Sequence, residues 1–441
     1  MMTWNEVNVV EFERGLYEEH LEEASVLYDQ WRRRFESAVL PWWALDDPAR
    51  VEAHLDALVV GGDRALETAL EADADEGERH AAVRLFCRIG RSDLANAALE
   101  VTNPDDQDEV AAVVSAFVAE MPEAWEAGAL RADLLGDPRR LRLAADLVVS
   151  RSLDARKALL AALPDASDAV RARVVAALGR RAAEVGPGPF HSLLHDGLPD
   201  VRREAAVALL RTGHAEAPRA VLAAVRSDPA LVPVLGLAGT AAAVPWLSAV
   251  LDHSEAGPDA ARSLGLLGAP AAVPVLIRAL KGPHAAPAAE ALALLTDAPL
   301  VDEESEPETD PDALFDDEVA VLARGERVVT AEGAPIEAVS RNPERWTAWW
   351  MTHRERFTAE RYRLGMPAGP AAEVASLAAP HVLPTMRGWI AHELVVRYRL
   401  PVAFETTWSV ERQQTALAAM TVWAADAPFV AGRWYVGGGY A

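Results

Sequence analysis

The sequence is poor in cysteine, in aromatic residues and in basic residues, and each shortage excludes a class of protein. Cys87 is the single cysteine among 441 residues, so neither an internal disulfide nor a cysteine-based zinc site can form. Hydrophobic residues make up 51% of the chain but aromatic residues only 6%, a composition of helix formers that excludes an all-β protein. Because 67 acidic residues outnumber 42 basic ones, giving a net charge of −25, we expect no nucleic-acid partner.

Targeting and membrane-spanning signals are equally scarce. The first twenty residues carry five glutamates and no basic cluster before an apolar core, so we predict a cytoplasmic protein without a signal peptide. Residues 230–251 are uncharged over the length of a membrane span, but Pro233, Gly236, Gly239 and Pro245 interrupt them. We therefore predict that this run is buried packing rather than a membrane-inserted helix.

One pattern repeats through the middle of the chain. Several nine-residue segments align without gaps, each with apolar residues at helical spacing and most with a glycine at the end. The segments are 82–90, 205–213, 231–239, 260–268 and 288–296. We predict Asp200 as the N-cap of one such helix and Gly213 as the residue that stops it.

A proline follows each of the glycines and marks the start of a second helix, because proline at a first helical position loses no needed hydrogen bond. These prolines are Pro218, Pro245 and Pro274. The resulting helix pairs recur about every 30 residues. Since no pair can cover its apolar stripes alone, we predict an all-α protein in which the pairs stack into an α-solenoid.

The repeats resemble the short HEAT-like repeats of phycobilisome lyase proteins, whose pattern is Ala-x-x-x-Leu-x-x-x-Gly followed by a proline-started helix. Most of the chain is similar to an uncharacterised family of proteobacterial HEAT-repeat proteins that is expanded in myxobacteria. The segments that carry this resemblance are 17–24, 52–58, 343–350, 361–365 and 411–414. Members of that family occur beside type VI secretion genes, so the resemblance implies an accessory role there and assigns no catalytic residue.

We predict four parts along the chain: an N-terminal helical segment (1–65), a HEAT-like solenoid (66–298), an acidic flexible linker (299–335) and a tryptophan-rich C-terminal module (336–441). In the first part, six apolar residues at a 4,3,4,3,4 spacing predict a helix of about 25 residues. They are Tyr17, Leu21, Ala24, Tyr28, Trp31 and Phe35, and Asp47 is the predicted cap of the next helix.

The linker and the C-terminal module are distinguished by composition. Residues 302–318 hold ten carboxylates, two prolines and no basic residue, so we expect that they cannot bury enough surface to fold. Seven of the thirteen tryptophans follow residue 340, which predicts a separate module. The segment 91–168 matches the repeat pattern loosely and is expected to hold two or three degenerate units.

Candidate catalytic and metal-binding groups are few. His191 and His195 are four residues apart and could hold a metal on one helical face, but no third ligand lies nearby, so we favour a polar helix edge. Cys87 lies in an apolar helix and fits packing better than a nucleophile. His392 and Glu393 form the one pair that resembles the metal site of HEAT-repeat hydroxylases, and it lies outside the repeats. We predict no catalytic residue, metal site or cofactor.

The tryptophan-rich module suggests a binding site. Trp346, Trp349 and Trp350 lie at i, i+3 and i+4 and form one aromatic stripe of the type that dominates interface hot spots. The alternative is that the stripe forms the core of a small domain or a cap over the last repeat. Exposure of more than half of two of these side chains would favour binding.

We therefore predict a non-catalytic protein-binding scaffold or adaptor, with the solenoid face as its docking surface. A basic or neutral partner is expected, because the carboxylate excess steers such a partner electrostatically. Two alternatives stay open, a repeat-fold enzyme such as a chromophore lyase and an immunity-type inhibitor of a toxic protein. The sequence does not decide among them and leaves the oligomeric state open.

Overall fold

The computed structural model describes residues 9–37, 42–44, 48–71, 75–253, 255–304, 319–320, 324, 336–430, 435–436 and 439–440. Helices form nearly all of the regular structure in these ranges, and the sheets found there have only two strands each. This confirms the predicted all-α class, an α-solenoid of HEAT-like helix pairs. Within the same ranges, none of the helices combines the length and apolarity that crossing a bilayer requires.

The chain divides into two compact units. The first takes in the described residues within 1–37, 44–177 and 307–334, and the second takes in those within 38–43, 178–306 and 335–441. The helices of the first unit are α1 Val9–Ser37, α2 Pro48–Glu71, α3 Glu76–Arg88, α4 Ser92–Val101, α5 Gln107–Glu120, α6 Glu123–Ala129, α7 Pro138–Arg151 and α8 Arg156–Ala162. Helix α9, Asp168–Arg180, begins in the first unit and ends in the second.

The second unit contains helices and short strands. Its helices are α10 Ala182–Val185, α11 Pro187–Leu193, α12 Pro199–Arg211, α13 Ala217–Val225, α14 Val232–Ala238, α15 Val244–His253, α16 Gly257–Leu267, α17 Val273–Ala279, α18 Ala285–Thr296, α19 Pro343–His353, α20 Pro370–Ala378, α21 Pro384–Tyr398 and α22 Val410–Asp426. Its strands are β1 Val301–Glu304, β2 Ile336–Val339, β3 Tyr362–Arg363, β4 Met366–Pro367, β5 Tyr435–Val436 and β6 Gly439–Tyr440, paired antiparallel in that order.

Helix α1 confirms the predicted one-sided helix. Leu21, Ala24 and Tyr28 are buried, and Tyr17 and Trp31 are half-buried. The side chain of Phe35 and the predicted cap Asp47 lie outside the described residues. Helix α2 is broken at Gly62 by a positive φ of 58°, and the residue before it, Gly61, lies directly against the ring of Tyr17.

Helices α3 to α8 alternate as pairs. The first helices α3, α5 and α7 pack side by side, and each has an aspartate cap that satisfies backbone N–H groups at its start, namely Asp75, Asp106 and Asp137. Asp75 and Glu78 form a complete capping box. The segment 91–168, which matches the repeat pattern only loosely, therefore does hold helix pairs.

In the second unit the predicted corners are present. Gly213, Gly239 and Gly268 follow the ends of α12, α14 and α16, the first helices of three successive pairs. Gly213 and Gly268 have positive φ values of 68° and 65°, whereas Gly239 is extended. The second helices α13, α15 and α17 begin after these corners, each with a proline in its first turn.

The predicted cap at Asp200 is wrong. Helix α12 already begins at Pro199, whose ring presets the helical φ, and its N-cap is Leu198, which makes no side-chain bond. Asp200 lies inside the first turn and pairs with Arg203. The carboxylate still lies at the positive end of the helix dipole, so only the position of the helix start was missed.

Residues 231–239 of the long uncharged run are buried packing, as predicted, whereas Pro245 and Ala249 in its second half are exposed on α15. Every residue of α14 is buried, because α12 and α16 pack on either side of it. A Cβ atom at Gly236 would lie 2.9 Å from the Cβ of Leu266, so glycine is what allows the two helices to approach so closely. The hydroxyl of Ser263 on α16 donates to the carbonyl oxygen of Val232 at 2.8 Å and joins the same pair of helices.

Two expectations about the C-terminal part need correction. Residues 301–304, placed in the flexible linker, form strand β1 against β2, where Arg345 binds the carboxylate of Asp302. Residues 305–318, the centre of that linker, lie outside the described residues. The C-terminal module is also not separate from the repeats, because residues 361–399 hydrogen-bond to several repeat helices within the second unit. The division into four parts, with boundaries after residues 65, 298 and 335, stays a prediction.

Candidate functional site

Trp346, the first residue of the predicted stripe, belongs to the core. Its side chain is fully buried, and its indole N–H donates to the carbonyl oxygen of Ser340 at 2.6 Å. The side chain of Asn342 caps α19 by accepting from the backbone N–H of Arg345 at 3.0 Å, which fixes how the helix presents this ring. Trp346 therefore supports the alternative of packing and does not face a partner.

Trp349 and Trp350 are half-buried and form an aromatic cluster with neighbouring rings. Trp349 stacks on His353 at 4.6 Å between ring centroids, and Trp350 lies 5.1 Å from Phe357. The guanidinium of Arg356 lies over Trp349 at 5.1 Å, close enough for a cation–π contact. None of the three tryptophans is more than half exposed. Partner binding by Trp349 and Trp350 stays a prediction.

An open pocket of about 400 Å³ adjoins this cluster. Its lining includes Arg356 and Tyr362, together with Thr296 and Asp297 at the end of α18. The Tyr362 hydroxyl donates to the carbonyl oxygen of Arg356 at 3.0 Å and accepts from the N–H of Ala359 at 2.8 Å, so the wall is held by its own bonds. The pocket offers a guanidinium and a carboxylate to a small polar group.

A row of arginines in residues 361–399 caps the repeat helices. Arg399 donates to the carbonyl oxygen of Arg211 at the end of α12, and Arg397 donates to that of Gly239 at the end of α14. Arg361 donates to the carbonyl oxygen of Leu267 at the end of α16 at 2.7 Å. These carbonyls have no partner within their own helices and form the negative end of each helix dipole, which is why cations are stabilised there.

The end of α18 is closed by backbone groups instead. The N–H groups of Leu364 and Gly365 donate to the carbonyl oxygens of Leu294 and Leu295 at 2.7 and 3.0 Å. The left-handed turn that Leu364 and Gly365 adopt lets both N–H groups point at the helix end. Four successive first helices, α12, α14, α16 and α18, are thus capped by one continuous C-terminal segment.

Helix α21 covers the surface formed by these first helices. It packs on α12, α14 and α16, with Ile390 and Leu394 fully buried. His392 of the same helix accepts at Nδ1 from the Arg211 guanidinium at 3.2 Å. The chain's own helix therefore occupies, at these three repeats, a surface on which a partner of a HEAT-like solenoid would otherwise dock.

A buried ionic cluster fixes this segment. Arg363 Nε lies 2.7 Å from Glu373 Oε2, Arg363 Nη2 lies 2.6 Å from Glu393 Oε2, and Arg397 Nε lies 3.0 Å from Glu393 Oε1. Burial alone would raise the pKa of Glu393, but Arg361, Arg363 and Arg397 outweigh it and lower that pKa to about 2. Burial raises the pKa of Glu373 to about 7 against the opposing charge of Arg363. Three arginines and two glutamates thus act together as one buried ionic contact.

The groups considered for chemistry lie in structural surroundings. The spacing of His191 and His195 would place both on one helical face, but helix α11 ends before His195 and they do not share one. Both side chains are exposed. Burial raises the pKa of Cys87 to about 12, which keeps its thiol protonated. Among the described residues, no group of three or more His, Cys, Asp and Glu side chains is placed to hold a metal ion.

His80 in the first unit is also structural. It stacks on Tyr28 with 4.0 Å between ring centroids, and its Nδ1 lies 3.2 Å from the carbonyl oxygen of Ala112 and 3.0 Å from the hydroxyl of Ser115. Burial lowers the pKa of His80 to about 3, so the ring is neutral near pH 7.

An exposed apolar stripe, not predicted from the sequence, lies at the start of α1. Val9, Phe12 and Leu16 are 58%, 64% and 37% exposed and follow the helical spacing i, i+3 and i+7. The sequence of α1 contains both this apolar spacing and that of the buried stripe with Tyr17 and Leu21. Only the exposure of the side chains in the structure shows which stripe is buried and which is exposed.

Comparison with known proteins agrees with the repeat architecture. Residues 156–233 match the family model of HEAT repeats, from the start of α8 into α14. A search of curated proteins finds no match. The matched segment is thus similar to repeats that commonly serve as protein-interaction scaffolds.

Proposed function

We propose that this chain is a non-catalytic scaffold or adaptor that binds another protein. The observation that carries the proposal is the stack of HEAT-like helix pairs whose second helices face solvent. Helices α13, α15 and α17 each bury one side and expose positions four residues apart on the other. The exposed pairs are Arg219 and Ala223, Pro245 and Ala249, and Pro274 and Arg278.

The partner is basic or neutral. A net charge of −25 attracts basic surfaces over several ångströms and repels acidic ones, and this attraction weakens as salt screens it. An accessory role beside a bacterial type VI secretion system is the finer form of the proposal, and it rests on the resemblance carried by segments such as 343–350. An inhibitor of a toxic protein would use the same surfaces.

Trp349 and Trp350 are proposed as part of the binding surface. Their rings are half-buried, so a partner would contact their outer edges while Phe357 and His353 support them from within. Replacing both by alanine should weaken partner binding by at least about tenfold. Trp423→Ala, at another half-buried tryptophan on α22, is the matched control and should change binding by less than about twofold.

Affinity capture tests the function itself. The tagged full chain is incubated with lysate of its source cells at about 50 mM and 500 mM salt, and retained proteins are identified by mass spectrometry. We expect a partner with basic surface that is retained at low salt, binds the purified chain in calorimetry, and binds more weakly at high salt. Retention of no protein, together with a metal or chromophore in the purified chain, would favour the repeat-fold enzyme instead.

A further inference from the structure

The start of α1 carries an exposed apolar surface. The solvent-facing side of a helix is normally charged or polar. Here Phe12 is 64% exposed and Val9 is 58% exposed, on the helix that opens the first unit. A Cβ atom added at Gly15 would meet no atom within 4 Å, so the adjoining surface is open as well.

The stripe lies beside the face of α1 that packs on the rest of the unit. Tyr17 and Glu13 face α2, where the Tyr17 ring contacts Gly61 and the Glu13 carboxylate pairs with Arg64. Val9, Phe12 and Leu16 lie about one quarter turn away from that face by helical spacing. One residue before Gly61, Val60 is 88% exposed at the same end of the α1–α2 pair. Exposed apolar residues grouped in this way mark interaction sites.

Carboxylates continue the stripe. Glu19 and Glu23 follow Leu16 at three and seven residues and so extend the same side of the helix toward its middle. Between residues 9 and 23 the helix has six glutamates and one arginine, Arg14, which pairs with Glu18 at 2.8 Å. A ligand for this surface therefore needs an apolar side and positive charge next to it.

We propose that this α1 stripe, formed by Val9, Phe12 and Leu16 and continued by Glu19 and Glu23, binds a basic amphipathic helix of a partner protein. The inference rests on the proposed function and specifies its surface and partner type. Apolar residues at i, i+3 and i+7 of the partner pack on Phe12 and Leu16, and flanking lysines or arginines face the glutamates. Three apolar anchors bury little area, so the contact is transient and salt-sensitive.

Charge favours a basic helix over two other ligands for this stripe, a second copy of the chain and an anionic lipid surface. A second copy of the chain would bring its own six glutamates against those of the first, which like-charge repulsion disfavours. An anionic lipid surface is repelled for the same reason. A basic helix gains from both parts of the surface.

Peptide binding tests the proposal. The probe is a fluorescein-labelled synthetic helix of about 18 residues with leucines at i, i+3, i+7 and i+10 and lysines at its other positions. The comparison peptide keeps the leucines and replaces the lysines by glutamates. Fluorescence anisotropy gives the dissociation constant for the wild-type chain, for the double variant Phe12→Ser/Leu16→Ser, and for Val422→Ser, which alters a more exposed apolar residue of α22.

We expect the wild-type chain to bind the lysine peptide and not the glutamate peptide. The double variant should bind the lysine peptide at least about tenfold more weakly, and Val422→Ser should differ from wild type by less than about twofold. Because Phe12 and Leu16 are exposed, circular dichroism and melting of the double variant should match the wild type.

Three results would overturn the proposal. Equal affinity of the double variant and wild type would mean that diffuse charge holds the peptide, and equal binding of both peptides would mean that charge does not select the ligand. A wild-type dimer in light scattering that the double variant loses would assign the stripe to a second copy. In lysate capture, a partner that the wild type and the double variant retain equally would contradict binding at the α1 stripe but not the scaffold function. A wild-type chain that retains no protein would contradict the scaffold function itself.

Discussion

Replacement of Arg363 by methionine removes the centre of the buried ionic cluster. Arg363 is fully buried, binds the carboxylates of Glu373 and Glu393, and donates to the carbonyl oxygens of Gly265 and Leu266 at the end of α16. Methionine fills much of the same volume but provides no donor. The substitution therefore removes the cation that pairs with Glu373 and one of those that pair with Glu393. The carbonyl oxygens of Gly265 and Leu266 keep a second donor each, the N–H of Gly268 and the guanidinium of Arg361.

The expected loss is about 4 kcal/mol of unfolding free energy. Removing one partner of a buried ion pair costs about 3–5 kcal/mol. The upper figure is not reached, because Arg361 and Arg397 still neutralise Glu393. Glu373, whose pKa is about 7 in the intact cluster, can also take up a proton once Arg363 is gone. Both effects hold the loss near the middle of that range.

Urea titration followed by tryptophan fluorescence measures this loss in the transition of the second unit. The control is Arg345→Met, which breaks a half-exposed pair with Asp302 and should cost at most about 1 kcal/mol. Adding Glu373→Gln to Arg363→Met removes the stranded charge and should recover about 1–2 kcal/mol. If Arg363→Met is no more destabilising than Arg345→Met, the cluster does not hold the C-terminal segment on the repeats.

Three further predictions follow from single residues. The pKa of His80 is about 3 in the folded protein and 6.5 in the free side chain, so the neutral ring favours the folded state fully above pH 6.5 and less as the pH falls. Lowering the pH from 7 to 5 should therefore lower the unfolding free energy of the first unit by about 2 kcal/mol. His80→Gln should flatten that pH dependence in urea titrations. An alanine at positive φ costs about 1–2 kcal/mol of unfolding free energy. Gly268→Ala should cost more than this, because the new Cβ would lie 2.3 Å from the carbonyl oxygen of Tyr362. Gly90→Ala, whose Cβ would meet no atom within 4 Å, should show only the conformational cost. Because burial raises the pKa of Cys87 to about 12, native protein at pH 8 should react with Ellman's reagent about a thousandfold more slowly than urea-unfolded protein, and equal rates would contradict that burial.

The repeat architecture was predictable because its determinants are local. A glycine at the end of an apolar helix and a proline a few residues later specify a corner within one short segment, as at Gly213 and Pro218. The helix start at Pro199 was missed because the aspartate beside it, Asp200, is an equally good local signal for a cap. Both signals depend on neighbours in the chain, so one sequence suffices to read them.

The candidate site was less predictable because its contacts are long-range. Arg399 and Arg211 are 188 residues apart, and no spacing in the sequence links them. The tryptophan stripe shows the same limit: Trp346 and Trp350 lie on one side of α19, yet the first is fully buried against Ser340 and the second is half-exposed. Helical periodicity identifies a shared side of a helix, whereas burial depends on which distant segment packs on it.

Hydrogen–deuterium exchange on the chain bound to its captured partner shows which surface the partner occupies. If α21 remains on α12, α14 and α16, amides of α21 should exchange equally slowly with and without partner. Exchange should slow instead in residues 9–23 of α1, in α19, or in the second helices α13, α15 and α17. Faster exchange across α21, together with slower exchange in α12, α14 and α16, would mean that the partner displaces the chain's own helix and would contradict the binding surfaces proposed here.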